Sequence, residues 1–500
     1  MASRERSIRA HYKSLLLLAR IVWAMVFVCV LVAVYVIGFP ADAPARQASR
    51  ARLAPIDVGA GIAAFYRDHG FRPLWVSGSG LRPEARQLLH MLGESGGREL
   101  DAAVAAAGDG DPGRLTRADL LLSRAYADYV HVHHRVPAGG AMRYIDPEAA
   151  PAARPDRDIL EAAAGAPSLA AHLSAVERIN PVHDGLTRGL AAYRARWSRL
   201  PQQPLPARPT DAAMRRRLGT NALRDFQAIH GVPQSGRADA ATVAALNRGA
   251  AYYERLAEAN IERARAIPAQ PSGRYILVDT ASARLWMIED GRIRGAMRVV
   301  VGKRAMPTPL MAGMIRYVVL NPYWNLPPDL IRERARKGAR AIAAERLQVL
   351  SDWTPEARPL DPRRVDWRAV AAGRRFVNLR QTPGPHNMMG RIKFMLPNDL
   401  GVYLHDTPHR DLLGRADRHL SSGCVRLEDA QRLARWLFEG RVPRPSGAPE
   451  QRVDLPAPVP VYLAYFTALP ARGGIVFQSD AYGRDRTLRA GPTPSRRRPA

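Results

Sequence analysis

Cysteine is nearly absent, with only Cys29 and Cys424 among 500 residues. Cys29 sits inside a continuous apolar run, so no disulfide framework can staple the chain, and Cys424 is the single thiol outside that run. Acidic residues are also scarce, 46 against 74 Lys+Arg, which leaves a formal net charge of +28. That balance first suggests nucleic acid. The sequence, however, has no zinc-finger spacing, RNP-like aromatic motif or concentrated basic helix, and a dense basic run falls at Arg496–Arg498 near the end. No nucleic-acid partner is therefore expected. An acidic polymer, a membrane surface or an ordinary solvated face accommodates the charge. With 47% hydrophobic and 24% charged residues the chain is not disordered as a whole, while 41 prolines predict many linkers and turns. Its length exceeds what one core organises, so several domains are expected.

Basic residues Arg4, Arg6, Arg9, Lys13 and Arg20 precede the apolar run Ile21–Gly38. At helical rise that run spans about 27 Å, roughly the hydrocarbon core of a bilayer. The positive flank keeps the N-terminus cytoplasmic, so residues 1–40 read as a cytoplasmic tail and transmembrane anchor in the inner membrane, with the rest outside it. Ala41-Asp42-Ala43 offers the alternative of a cleaved signal and a soluble periplasmic protein.

Residues 41–55, rich in Ala, Pro and Arg, read as a linker, and 56–205 as a mainly helical unit broken at Pro and Gly clusters. Within 206–250, Leu223, Phe226, Ile229 and Val232 keep helical spacing, Gly231 can end that helix, and Asp239 can cap the next. The pattern Phe226, Gln227, Gly231, Gly236, Thr242, Ala245, Leu246 resembles the small three-helix peptidoglycan-binding domain of wall enzymes. From Arg274 the period becomes two, and Asp290-Gly291 marks a hairpin. Further strands are expected at 314–320, 375–379, 390–395, 402–405 and 459–466. Residues 328–373 are expected to be a helical insertion or lid. The β domain spans 272–485, and 486–500 form a basic tail.

The segment VYLHDTPHRDLLGRADRHLSSGCVRLEDA (402–430) carries the chemistry. A thiol is a poor nucleophile until ionised, and an imidazole or a helix start can lower its pKa. Ser421-Ser422-Gly423 is a small-residue turn, and residues 427–439 are helical by pattern, which puts Cys424 near a helix start. Backbone N–H groups at such a turn can form an oxyanion hole. His405 ends an alternating strand and is the best-placed base, whereas His409 and His419 fall in a polar loop where solvated histidines are the default. His405, His409 and Cys424 are all metal-ligand types, but Pro408 interrupts any helix that would align them and no CxxC exists. No metal and no cofactor is expected.

The run Ser421-Ser422-Gly423-Cys424-Val425-Arg426-Leu427, with a strand-borne His405 upstream, resembles the signature of YkuD-type L,D-transpeptidases. Residues 318–330, 380–398 and 402–408 resemble its large YcbB-like branch. The resemblance implies an α+β multidomain protein: a helical scaffold, a small three-helix peptidoglycan-binding domain, and a mainly β catalytic domain with a helical insertion. Membrane attachment by one N-terminal transmembrane helix is expected. It further implies that Cys424 attacks a peptidoglycan stem tetrapeptide to give a thioester, with His405 as base and then acid. An amine acceptor would give a 3→3 cross-link, and water would give carboxypeptidation. Gly423 and Cys424 would lend their N–H groups to the oxyanion hole, and the Asp406 backbone could orient the imidazole. Arg426, Tyr403, Ser422, Trp324 and Asn325 are substrate-binding candidates, core roles being the stronger reading for Trp324 and Asn325. Carbapenem acylation of Cys424 is implied. A catalytically silent wall-binding scaffold is the rival reading, disfavoured by the presence of both Cys424 and His405.

Overall fold

The computed structural model describes residues 57–486 apart from 79, 137–141, 152, 220, 270–272 and 355. The anchor, the linker up to residue 55 and residues 487–500 of the basic tail lie outside the described residues. Among those described, no helix is long and apolar enough to cross a membrane.

The alternation that begins at Arg274 becomes a sheet that closes on itself. Its strands are β1 (Arg274–Asp279), β2 (Arg284–Glu289), β3 (Arg292–Gly302), β4 (Met311–Leu320), β5 (Ile392–Met395), β6 (Leu404–His405), β7 (Val425–Leu427) and β8 (Gln451–Ala464). The pairing runs β5-β6-β7-β3-β2-β1-β8-β4, and β4 pairs again with β5 to complete the ring. Asp290 (φ 49°) and Gly291 (φ 72°) both take positive φ, as a two-residue hairpin between β2 and β3 requires. Period-two alternation sends Val278, Leu285, Val299, Ile315, Phe394, Leu404, Val425, Leu427 and Leu463 into one enclosed core. Burying each such side chain contributes about 1.5–3 kcal/mol, so register is strongly specified: a one-residue slip would turn the whole set outward.

Tyr275, Leu277 and Tyr462 face the other way and pack, with the helices Pro181–Tyr193 and Ala250–Ala264, into a second core. In the helical N-terminal part, the aromatic cluster before residue 77 is core: Phe65, Tyr66 and Trp75 are buried, and the buried Asp119 accepts the Trp75 and Val76 N–H groups at 2.6 and 3.1 Å.

Residues 211–248 form three helices, Asp211–Leu218, Leu223–Ile229 and Ala240–Arg248. The motif residues hold this unit together. Buried Gln227 donates to Thr242 Oγ1 and the Arg237 carbonyl, both at 2.9 Å, and accepts the Gly236 N–H at 2.8 Å. Phe226 and Leu246 pack with Trp197, Tyr253 and Phe477 in the second core.

The insertion differs from the all-helical reading. Helices Pro328–Ala335, Gly338–Ala344 and Trp367–Ala371 accompany a four-stranded sheet made of Trp324–Asn325, Leu347–Leu350, Pro359–Leu360 and Asn378–Gln381. Leu347, Val349 and Leu379 are buried there with Ile331, Ile342 and Val370, so the insertion has a core of its own. A helical period over residues 340–350 hid a strand that pairs with Pro359–Leu360 on one side and with the more distant Asn378–Gln381 on the other.

Candidate active site

Three short neighbouring strands position the site. Leu404 on β6 points into the core, so His405, the next residue, points out. Across the ladder His405 faces Lys393 of β5 and Arg426 of β7, giving a row Lys393–His405–Arg426 on the outer side. The ladder continues one step through the Val425 N–H to the Tyr403 carbonyl, 3.1 Å, which sets Cys424 beside Tyr403. The Tyr403 and His405 rings lie 6.0 Å apart, and the Lys393 ammonium stands 5.3 Å from the Tyr403 ring centre. Tyr403 touches both the barrel core and the core of the insertion, and so ties the two together.

His405 is 1% exposed. Its Nδ1 lies 2.5 Å from the Asp406 carbonyl oxygen. A carbonyl only accepts, so Nδ1 carries the proton and Nε2 is the free base. Asp406 is itself fixed: its carboxylate takes Arg410 Nη2 at 2.7 Å and the Arg391 N–H at 2.9 Å. Gly390 (φ 63°) makes room for it, since a Cβ there would fall 2.5 Å from Cβ and Cγ of Asp406.

The cysteine turn is braced from both ends. Ser421 Oγ donates to the Cys424 carbonyl at 2.6 Å and accepts the Gly423 N–H at 3.1 Å. Thr308 Oγ1, fully buried, donates to the Gly423 carbonyl at 2.7 Å and accepts the Gly302 N–H at 2.9 Å. The Gly423 N–H is thus already engaged, which corrects the expectation that it stands ready for an oxyanion. A second correction concerns the helix start. Val425–Leu427 is a strand, and the helix begins at Ala430, capped by the Asp429 side chain on the Arg432 N–H. Sheet pairing claims Val-Arg-Leu, and the helix dipole does not act at the thiol.

Cys424 is half-buried, and its Sγ lies 3.6 Å from the Gly401 carbonyl. No hydrogen bond joins Sγ to His405 among the described residues. Burial pushes the thiol pKa up, opposed by the Tyr403 backbone N–H and by the Arg426 and Lys393 charges. Burial, then Arg426, then Lys393, drive His405 down to about 3. At the thiol burial outweighs the two cations, and at the imidazole it adds to them, so both groups are held toward their neutral forms.

Of the other residues singled out, Ser422 is exposed at the turn. Trp324 is buried in the insertion core under Arg334, and Asn325 is exposed on the same short strand. His419 is not a solvated loop residue. It starts a strand beside β3, and its two ring nitrogens meet Asp417 Oδ1 at 2.6 Å and the Thr280 carbonyl at 2.9 Å. Lys393 was missed by motif reading. The signal available was its place in the alternating run Ile392–Met395, one step out of phase with the core residues.

Residues 273–455 match the YkuD family, described as an L,D-transpeptidase catalytic domain, and residues 60–190 match a scaffold domain. The residues matched to the catalytic domain carry His405 on β6 and Cys424 in the turn just before β7, the neighbouring strand. A putative L,D-transpeptidase of Haemophilus influenzae is 34% identical over 241 residues, covering 46% of this chain and 48% of that protein. The chain therefore spans about half the length of that curated relative. Among solved structures, an L,D-transpeptidase from Mycobacterium smegmatis is 13% identical, with 38% of this chain and 58% of that one covered and a TM-score of 0.20. An L,D-transpeptidase in complex with imipenem is 11% identical, with 39% and 59% covered and a TM-score of 0.20.

Proposed function

We propose that the protein is an L,D-transpeptidase that forms 3→3 cross-links in peptidoglycan through a thioester on Cys424. The observation that carries this reading is the placement, within a YkuD domain, of a half-buried thiol one strand away from an imidazole whose tautomer is fixed by the Asp406 carbonyl. Because the resting pair is neutral, proton transfer from Sγ to His405 Nε2 accompanies attack rather than preceding it. The S–C bond forms at the carbonyl of the third stem residue. The C–N bond to the terminal D-Ala breaks as His405 returns the proton to the leaving amine. An amine of a second stem then attacks the thioester and releases the thiolate, which recovers its proton.

With the Gly423 N–H bonded to Ser421, the Cys424 N–H is the oxyanion donor of this reading. The scaffold match, the three-helix unit and the insertion between β4 and β5 support a place in the YcbB-like branch. In this reading the basic surface meets the carboxylates of the wall. The YkuD domain lies on the periplasmic side of the inner membrane, and a carbapenem acylates Cys424.

The test incubates the full-length chain with disaccharide tetrapeptide and follows product masses. Dimer with loss of D-Ala is expected, and none with Cys424→Ala. Dimer made by the Ala variant would sink the mechanism, and D-Ala release without dimer would make the protein an L,D-carboxypeptidase. Intact mass after incubation with a carbapenem is expected to rise by one adduct, absent in Cys424→Ala.

A further inference from the structure

Lys393 and Arg426 stand on the two strands flanking His405, and neither forms an ion pair with an acid among the described residues. Arg426 Nε is buried with no hydrogen-bond partner. Asp406, the residue next to His405, is held by Arg410 Nη2 and the Arg391 N–H. Two cations beside a buried neutral histidine, one with an orphaned donor, are an arrangement that lacks an anion. The thiol lies within reach of both charges, which act on Cys424 and His405 alike.

We propose that Lys393 and Arg426 form a carboxylate clamp astride His405, which selects donors carrying a free carboxylate next to the bond under attack. The clamp deepens the transpeptidase reading and rests on it for the identity of the donor. Its electrostatics are general. A bound carboxylate pairs with the two cations, which otherwise stand without an anion. A donor without the carboxylate is therefore bound and turned over less well. Arg426 supplies the planar, bidentate half of the clamp, and Lys393, anchored over the Tyr403 ring, supplies a point charge.

Two measurements on the full-length chain test this. The first compares a tetrapeptide donor ending in a free carboxylate with the same donor ending in a carboxamide. The wild-type protein is expected to favour the acid by about 10- to 100-fold in kcat/KM, the span of one or two charge-assisted hydrogen bonds. In Lys393→Met this preference collapses toward one, and Lys393→Arg restores most of it. The second follows alkylation of Cys424 by iodoacetate and by iodoacetamide. The anionic-to-neutral rate ratio is expected to fall roughly tenfold in Lys393→Met, and not in Lys393→Arg.

Equal turnover of acid and amide by the wild type overturns the clamp while leaving the transpeptidase intact. An alkylation ratio that Lys393→Met leaves unmoved overturns it as well. A ratio that moves in a protein that processes no stem peptide keeps the clamp and removes the transpeptidase reading. The wild-type acid-to-amide comparison needs no variant to fold, and Lys393→Gln provides a second neutral variant for the alkylation arm.

Discussion

Gly390 and Asp406 act as a pair in which the absence of one side chain positions another. Gly390→Ala places a Cβ inside the Asp406 side chain at a φ of 63°. It is expected to destabilise the protein by about 1–3 kcal/mol and to lower kcat more than it raises KM, because the Asp406 carbonyl fixes the His405 tautomer. Thermal melts and steady-state kinetics on a tetrapeptide donor check both effects. A melt lowered with kcat intact would show that the His405 bond survives the shift. Cys424 and His405 were legible in the sequence because a lone thiol in a small-residue turn and a strand-borne histidine announce themselves locally. Lys393 was not. Its meaning lies in the register of β5 against β6, and a single lysine in an alternating run looks like any solvated strand residue. His419 was misread for the same reason, its partner Thr280 lying 139 residues away.

Elements tell a similar story at longer range. The Asp290-Gly291 hairpin and the helices Leu223–Ile229 and Ala240–Arg248 follow from local spacing and caps, and the sequence located them closely, whereas Asp211–Leu218 was not read from spacing. The segment after Cys424 did not obey its local pattern, because the ladders to β6 and β3 outweigh helical propensity over three residues. What braces that segment is Thr308, whose hydroxyl joins the loop after β3 to the cysteine turn. Thr308→Val keeps the shape but leaves a buried N–H and a buried carbonyl without that hydroxyl. A loss of about 2–4 kcal/mol is expected in chemical denaturation, together with faster alkylation of Cys424 as the turn loosens. Unchanged stability would mean that other groups take over those bonds. In the three-helix unit, Gln227→Leu removes the bonds of a buried amide to Thr242, Arg237 and Gly236 and is expected to lower stability by about 1–3 kcal/mol, read by denaturant unfolding.

Across the whole molecule, two buried histidines carry the same acid liability. His405 and His230 are both driven to about 3 by burial, against an ordinary value of 6.5. Above pH 6.5 both are neutral folded and unfolded, and their contribution to stability is fully present. As pH falls from 6.5 toward 3 the unfolded chain takes up protons that the folded one refuses. Each histidine then withdraws on the order of 1 kcal/mol per pH unit. Unfolding midpoints are expected to decline through this window, and His405→Asn to show a shallower decline than the wild type. An identical slope in the variant would place the acid sensitivity elsewhere.

The ring of strands also sets a schedule. β8, residues 451–464, bonds to β1 on one side and β4 on the other, and the hairpin that follows it, residues 468–477, seats against Gly185 and Gly189 of a helix made some 280 residues earlier. Synthesis therefore delivers the nucleophile before its housing can be finished. A chain arrested short of residue 451 would leave β1 and β4 each with an unpaired edge and the thiol without a settled pocket. Closure of the ring must wait for residues 451–477 to arrive, so a slow, all-at-once final folding step is the kinetic signature to look for.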